Sequence, residues 1–405
     1  MGGIERTLRG RAAVVGVTDA VSPTGELQLT GRALEAQMVR EVLDDAGLTL
    51  ADIDGICHSG NAIQFAEFLG IQPTFIDSTT TGGSVFEVYL EHAASAVAAG
   101  VAECVLVVFA QTPRAGRTLA KKRNTDPNAA QKARAAMYGA DNPMTEWETP
   151  YGLQGPVGSY ALAASRHMAQ YGTTPEQLAT IAVKTREWAM LNPRAKSRTP
   201  LTVDDVLSSD MVASPLHKLD CCLVTDGAGA FIVTTPDRAK HCKKPPVYVL
   251  GAATALDHMM ISQMPDLATT PGAISGPKAF AMAGIKPSDV DVFMGYDSFT
   301  ITQLLHFEDL GFCAKGEGGP FVESVGIGPG GGLPTNTNGG GLSYTHPGMY
   351  GMVLVVEAVR QLRGECTNAT DAGRQVADAN IAVAHGSGMV LSVMSTAVLG
   401  TEAAL

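Results

Sequence analysis

The chain repeats itself in order across its length, and that repetition limits what it can fold into. AGLTLADIDGI (46–56) is echoed by AGIKPSDVDVF (283–293). Each reads as a helix end, a turn and the start of a strand. GGSVFEVYLEHAASAVAAGVAEC (82–104) is echoed by PGMYGMVLVVEAVRQLRGEC (347–366), each a glycine-led helix that closes at a Gly before a new segment. DGAGAFIVTT (226–235) is echoed by HGSGMVLSVM (385–394), both glycine turns into β-rich runs. Three echoes in one order indicate an internal duplication of about 160–240 residues, too long a period for a solenoid. The expected architecture is a pseudo-twofold pair of α/β halves, 1–240 and 241–405.

Local patterns agree. The apolar runs VLVVFA (105–110), FIVTT (231–235) and VYVLGA (247–252) alternate with helical periods, as α/β layers require. Leu34, Met38, Val39, Val42 and Leu43 form one helical face, and Gly47 supplies its stop. Residues 111–157 are rich in Pro, Gly, Asn and charge and read as an inserted loop region. The linker between the halves falls at PDRAKHCKKPP (236–246).

Composition narrows the function. With 45% hydrophobic residues the chain can build a large core, and a net charge of −11 argues against a general nucleic-acid or membrane-surface binder. No apolar run reaches transmembrane length, and the N-terminus lacks the apolar stretch of a signal peptide. Seven cysteines without a C-x-x-C argue against structural zinc and a disulfide framework. A reducing cytoplasm is the expected setting.

One segment carries chemistry on its face. TNTNGGGLSYTHPGMYG (335–351) delivers Tyr344 and His346 from a glycine-rich loop. Tyrosine and histidine in such a place suit acid/base work or donation to an oxyanion, though an ordinary turn with a packed tyrosine reads the same way. Arg114, Arg117, Lys121, Lys122, Arg123, Lys132 and Arg134 make a positive cluster in the insert. They suit the phosphates of coenzyme A, or equally a solvated helix face. His306 reads as a satisfied packing histidine, His58 as a surface residue, and His258 with Asp257 as a surface pair. Cys57 reads as a buried strand-end thiol.

The whole chain resembles the thiolase superfamily, closest to its sterol-carrier-protein-x thiolase-like branch. LDCCLVTDGAGAFIV (219–233), YDSFTITQLLHFEDLGFCAKGEG (296–318) and GGGLSYTHPGMYG (339–351) carry the likeness together and in order. The resemblance implies an α/β thiolase-like fold: two pseudo-symmetric halves in a layered αβαβα arrangement. It also implies an acyl-CoA substrate and a homodimer joined through sheet edges in the first half.

Departures from the family redirect the chemistry. Thiolases attack with a cysteine that opens the first long helix, and in STTTGGSVFEVYL (78–90) Thr79 is placed at that position. A threonine hydroxyl is not ionised at neutral pH without a dedicated base. The turn of the second thiolase cysteine reads AHGSGMVLS (384–392), with His385 and Ser387, and Tyr296 replaces the histidine of the HDCF segment. His346 stays.

That set is similar to the thiolase-like steroid side-chain aldolases, which lack the catalytic cysteines and carry tyrosines in these two segments. They work with a small partner bearing an OB-fold and a zinc ribbon. The implied reaction is retro-aldol cleavage of a β-hydroxyacyl-CoA to a ketone or aldehyde and a shorter acyl-CoA. The implied catalytic residues are Tyr296, Tyr344 and His346. One tyrosine takes the hydroxyl proton, the other returns a proton to the enolate carbon, and His346 donates to the thioester oxygen with support from the Gly388 N–H. Thr79, Asp297, Ser298, Ser387 and Gly388 are expected around the substrate, and Arg117, Lys121 and Arg123 on its phosphates. No cofactor or metal is expected. A thiolase or acyltransferase with another nucleophile, and a non-catalytic thiolase-like subunit, stay open beside this reading.

Overall fold

A computed structural model describes residues 7–122, 126, 144–153, 155–367 and 373–405. The strands of the first half are β1 (Ala13–Ala20), β2 (Gly55–His58), β3 (Phe75–Asp77) and β4 (Cys104–Gln111), then a ribbon of β5 (Met211–Ala213) and β6 (Leu216–His217), then β7 (Gly227–Thr234). The second half adds β8 (Val247–Leu256), β9 (Val292–Gly295), β10 (Ile381–Gly388) and β11 (Val393–Gly400).

The main sheet runs β3-β2-β4-β7-β1-β8-β11-β10-β9. Outward from the short β1–β8 contact, one side reads β1, β7, β4, β2 and the other β8, β11, β10, β9. Directions match as well. β1–β7 and β7–β4 are antiparallel and β4–β2 parallel, as are β8–β11, β11–β10 and β10–β9 in turn. The duplication expected from the echoes is therefore a duplication of topology, with β3 as an extra edge strand in the first half.

Two of the echoes superimpose on this plan. Helix Gly31–Ala46 ends at Gly47 with φ 73°, and helix Gly272–Ala283 ends at Gly284 with φ 66°. Each is followed by one 3₁₀ turn, Leu50–Asp52 or Pro287–Asp289, and then by β2 or β9. Helices Val85–Ala98 and Gly351–Leu362 are the second matched pair. The third echo does not correspond. Residues 226–235 form β7, whereas 385–394 span the end of β10, the turn and the start of β11. The topological partner of β7 is β11.

Burial explains the layers. Helix Gly31–Ala46 turns Leu34, Met38, Val39, Val42 and Leu43 onto β1, β7 and β4. Helix Gly272–Ala283 does the same for β8 and β11. On the inner face, helices Val85–Ala98 and Gly351–Leu362 pack on each other, and each touches strands of both halves. A separate apolar core fills this face, including Phe86, Tyr89, Leu354 and Val355. An inner helix pair between two half-sheets, with outer helices beyond, is the αβαβα order.

Much of the expected insert, including Arg123, Lys132 and Arg134, lies outside the described residues. No helix among the described residues is long and apolar enough to cross a membrane.

Candidate active site

The inner helix pair and the strand ends beside it enclose a cavity of about 200 Å³. Six segments of the chain line it, and the LDCCLVTDG segment laces two of the others together. Cys222 N–H donates to Ser298 O (2.9 Å), and Leu223 N–H to Gly341 O (2.9 Å). Thr225 N–H donates to His346 O (3.2 Å), while His346 N–H donates back to the Thr225 hydroxyl (2.8 Å). Residues 222–225 thus fix the YDSF and SYTHP segments against one another.

The Tyr296 and His346 side chains meet in the cavity, with Oη and Nε2 3.1 Å apart. Tyr350 N–H donates to the same Oη at 3.1 Å. That bond uses one of the two lone pairs of Oη, and the imidazole tautomer sets whether the hydroxyl donates to Nε2 or accepts from it. Burial lowers the His346 pKa to about 4 against the pull of a hydrogen bond to its own main chain, so the ring is neutral at pH 7. Burial pushes Tyr296 well above its ordinary value, with Cys222 next in effect. The resting pair is neutral tyrosine on neutral imidazole. A proton can pass between them only together with a second proton transfer.

Gly83 lies at the mouth of helix Val85–Ala98 and lines the cavity. A Cβ there would stand 2.5 Å from Tyr296 Cε2 and 2.4 Å from Ser387 O. The Tyr296 ring and the Ser387 carbonyl leave no room for a side chain at this position. Thr79, expected beside the substrate, lies elsewhere. It is half-buried and does not line the cavity, and its carbonyl accepts the Tyr89 hydroxyl at 2.6 Å.

Tyr344 does not join Tyr296 and His346. Its hydroxyl donates to Asp19 Oδ2 at 2.6 Å, and Arg194 and Arg360 hold Asp19 Oδ1 at 2.9 and 2.6 Å. The physical reason is the local backbone. Gly340–Tyr344 is one wide helical turn and Thr345 is extended, so residues 344 and 346 do not alternate as on a strand. Tyr344 anchors the loop to β1 instead of facing the cavity.

Asp297 also acts on the loop. Its carboxyl accepts the N–H groups of Gly341 (2.6 Å) and Leu342 (3.2 Å). Burial raises its pKa to about 7 against the pull of those donors. Gly340, at φ 65°, has no room for a side chain, since a Cβ would lie 2.1 Å from Asp297 Oδ2. The glycine run is there to let this turn close on a carboxylate.

Of the other expected site residues, Ser298 and Ser387 line the cavity. Gly388 sits between Ser387 and Met389, which both line it, and packs on Thr81 and Ser84. Arg117 is exposed on helix Pro113–Lys122 and does not line the cavity, and the Lys121 side chain and Arg123 are outside the described residues. His385 is buried against Thr396 and His306, and burial lowers its pKa to about 3.

Several histidine readings change. His306 is buried, but both ring nitrogens lack a hydrogen bond. His58 is buried on Glu35 at 3.1 Å, and His258 is buried between Asp257 and Val390 O.

Nine of the cavity residues were not among those expected from the sequence, Gly83, Tyr160 and Cys222 among them. Cys222 belonged to a motif used only for its likeness. Gly83 carries no side chain to notice, and Tyr160 follows the insert in no motif. Burial pushes the Cys222 thiol far above the usual range, so it is not a thiolate at neutral pH. Among the described residues no His/Cys/Asp/Glu group could hold a metal ion.

Comparison with known proteins adds three findings. Residues 253–401 match the family model described as thiolase C-terminal domain-like. The chain is 35% identical to the 17-hydroxy-3-oxo-4-pregnene-20-carboxyl-CoA lyase of Mycobacterium tuberculosis, over 89% of this chain and 94% of that one. It is 33% identical to the steroid side-chain-cleaving aldolase of Thermomonospora curvata, over 89% and 92%. Among solved structures, the Ltp2-ChsH2(DUF35) aldolase matches with a TM-score of 0.82 and 30% identity, covering 98% of this chain and 99% of that one.

Proposed function

The chain belongs to the thiolase superfamily, in the branch of the steroid side-chain-cleaving aldolases, and from that premise we propose that it cleaves a β-hydroxyacyl-CoA by a retro-aldol reaction. The observation that carries the reading is the Tyr296–His346 pair closing over Gly83. The place for a nucleophile is filled by an acid/base pair. The β-hydroxyl gives its proton to Tyr296 as Tyr296 passes its own to His346. The O–H electrons become the new carbonyl, the Cα–Cβ pair moves into the thioester as an enolate, and a proton returns from the pair to Cα. Substrate atoms are conserved as one ketone or aldehyde and one shorter acyl-CoA, with no cofactor consumed.

A steroid side-chain thioester is the proposed substrate, after the names of the two relatives. The expected result is release of a ketone and a shorter acyl-CoA in equal amounts from such a thioester with no free CoA added, read by liquid chromatography and mass spectrometry. Cleavage that requires free CoA would instead indicate thiolysis.

Two partners complete the proposal. One is a small OB-fold/zinc-ribbon subunit, supported by the pairing of Ltp2 with ChsH2(DUF35) in the matching aldolase structure. The other is a second copy of this chain. β3 is an edge strand with Ile76 exposed, and Ile63 and Phe68 are exposed on the adjacent helix Ala62–Leu69. Light scattering at micromolar concentration should give the mass of a dimer, and a monomer mass both with and without the partner subunit would refute it.

A further inference from the structure

In the retro-aldol reading His346 Nε2 is engaged with Tyr296, so donation to the thioester oxygen, the role expected of His346, falls to another group. That nitrogen lies 3.1 Å from the Tyr296 hydroxyl and takes its proton in the proposed reaction. An enolate oxygen still needs donors in a buried site, since an unpaired developing charge there is costly. A third tyrosine stands in the same cavity. Tyr160, on helix Pro156–Tyr171, is 3% exposed, and its ring packs on Phe299 with centroids 4.4 Å apart. Its hydroxyl lies within reach of the hydroxyls of Ser298 and Ser387.

All three side chains line the cavity together with Tyr296 and His346. Tyr160 is close enough to Tyr296 for their charges to be felt mutually. The Ser387 hydroxyl is buried, at 3% exposure for the residue, and makes no well-formed hydrogen bond. The Ser298 hydroxyl is already paired with the Thr302 hydroxyl at 3.1 Å, so Tyr160 and the unpartnered Ser387 hydroxyl are the donors left to meet an oxygen in the cavity.

We propose that Tyr160, supported by Ser387, donates the hydrogen bond that stabilises the thioester enolate oxygen in the cavity it shares with the Tyr296–His346 pair. This rests on the retro-aldol reading for its substrate but not for its geometry. In the step concerned, the electron pair of the broken Cα–Cβ bond lodges on the thioester oxygen as O⁻. Tyr160 keeps its proton and shares it with that oxygen, and the proton that Cα gains comes from the Tyr296–His346 pair. Neutral tyrosine is the form that can do this, and burial raises the Tyr160 pKa and keeps it so.

Enolate stabilisation can be read without cleavage. With propionyl-CoA in D₂O, the wild-type protein, with the small partner if it needs one, should exchange the Cα hydrogens for deuterium. Tyr160→Phe should slow both exchange and cleavage by about 10²–10³-fold, the usual loss for one oxyanion donor, with little change in KM. Ser387→Ala should slow them about tenfold. Tyr151→Phe, at an exposed tyrosine outside the cavity, should change neither.

Exchange at the wild-type rate in Tyr160→Phe would overturn the proposal whatever the cleavage assay shows. A wild-type protein that exchanges through Tyr160 yet cleaves no β-hydroxyacyl-CoA would leave the proposal standing and remove the retro-aldol reading. A folded wild-type protein that does neither would overturn both.

Discussion

Tyr296→Phe is expected to lower turnover by about 10²–10⁴-fold, the usual worth of a positioned acid/base. The substitution removes one oxygen from a buried ring whose edge contacts with His346 and Tyr350 remain, at centroid distances of 5.6 and 5.7 Å. Three things lose a partner at once: the substrate hydroxyl, His346 Nε2 and the Tyr350 N–H. Affinity for the CoA ester should change little, because the hydroxyl acts on the reacting centre and not on the bulk of the ligand. Loss in kcat with KM preserved is the pattern of an interaction made in the transition state. Steady-state kinetics beside a CoA-ester titration would show it, and near wild-type turnover would remove Tyr296 from the chemistry.

Asp19→Ala should cost about 3 kcal/mol of stability, at the low end for breaking a buried ion pair. The low end applies because Arg194 is 41% exposed at its side chain and can turn to solvent. Asp19 joins β1 of the first half to Arg360 and Tyr344 of the second. Burial works to raise its pKa, but Arg194, Arg360 and the Tyr344 hydroxyl outweigh it and hold the carboxyl far below its usual range.

The sign for pH follows from that. A depressed folded pKa contributes stability that is present above the unfolded value of about 3.9 and is lost as pH falls through the folded one. Denaturant unfolding at pH 7 and at pH 3 should therefore show a smaller gap between wild type and Asp19→Ala at the lower pH. A variant as stable as wild type at pH 7 would contradict the assignment.

The fold was legible where patterns are long. The face Leu34-Met38-Val39-Val42-Leu43, its glycine stop and the matched turns before β2 and β9 all survive in the structure. The echo at 385–394 misled because a glycine turn into a few apolar residues fits the start of almost any strand. At the site, the motifs located His346 and Tyr296 but not the direction of Tyr344. A two-residue spacing says nothing about where a wide helical turn gives way to extended chain. Thr79 and Gly83 lie four residues apart, and of the two it is Gly83, without a side chain, that lines the cavity. The histidines were misplaced for a simpler reason: a lone His carries no periodic signal of its own burial.

The central claim is carbon–carbon cleavage by an acid/base pair with no covalent enzyme intermediate. Intact-protein mass spectrometry of rapidly quenched turnover tests it most directly, using a β-hydroxyacyl-CoA and quantifying products in the same samples. The expected result is a carbonyl product and a shorter acyl-CoA accumulating in equal amounts while the protein mass stays unchanged at every time point. A transient acyl adduct that forms and decays at the rate of turnover, mapped to Thr79, Cys222 or any other side chain, would contradict it.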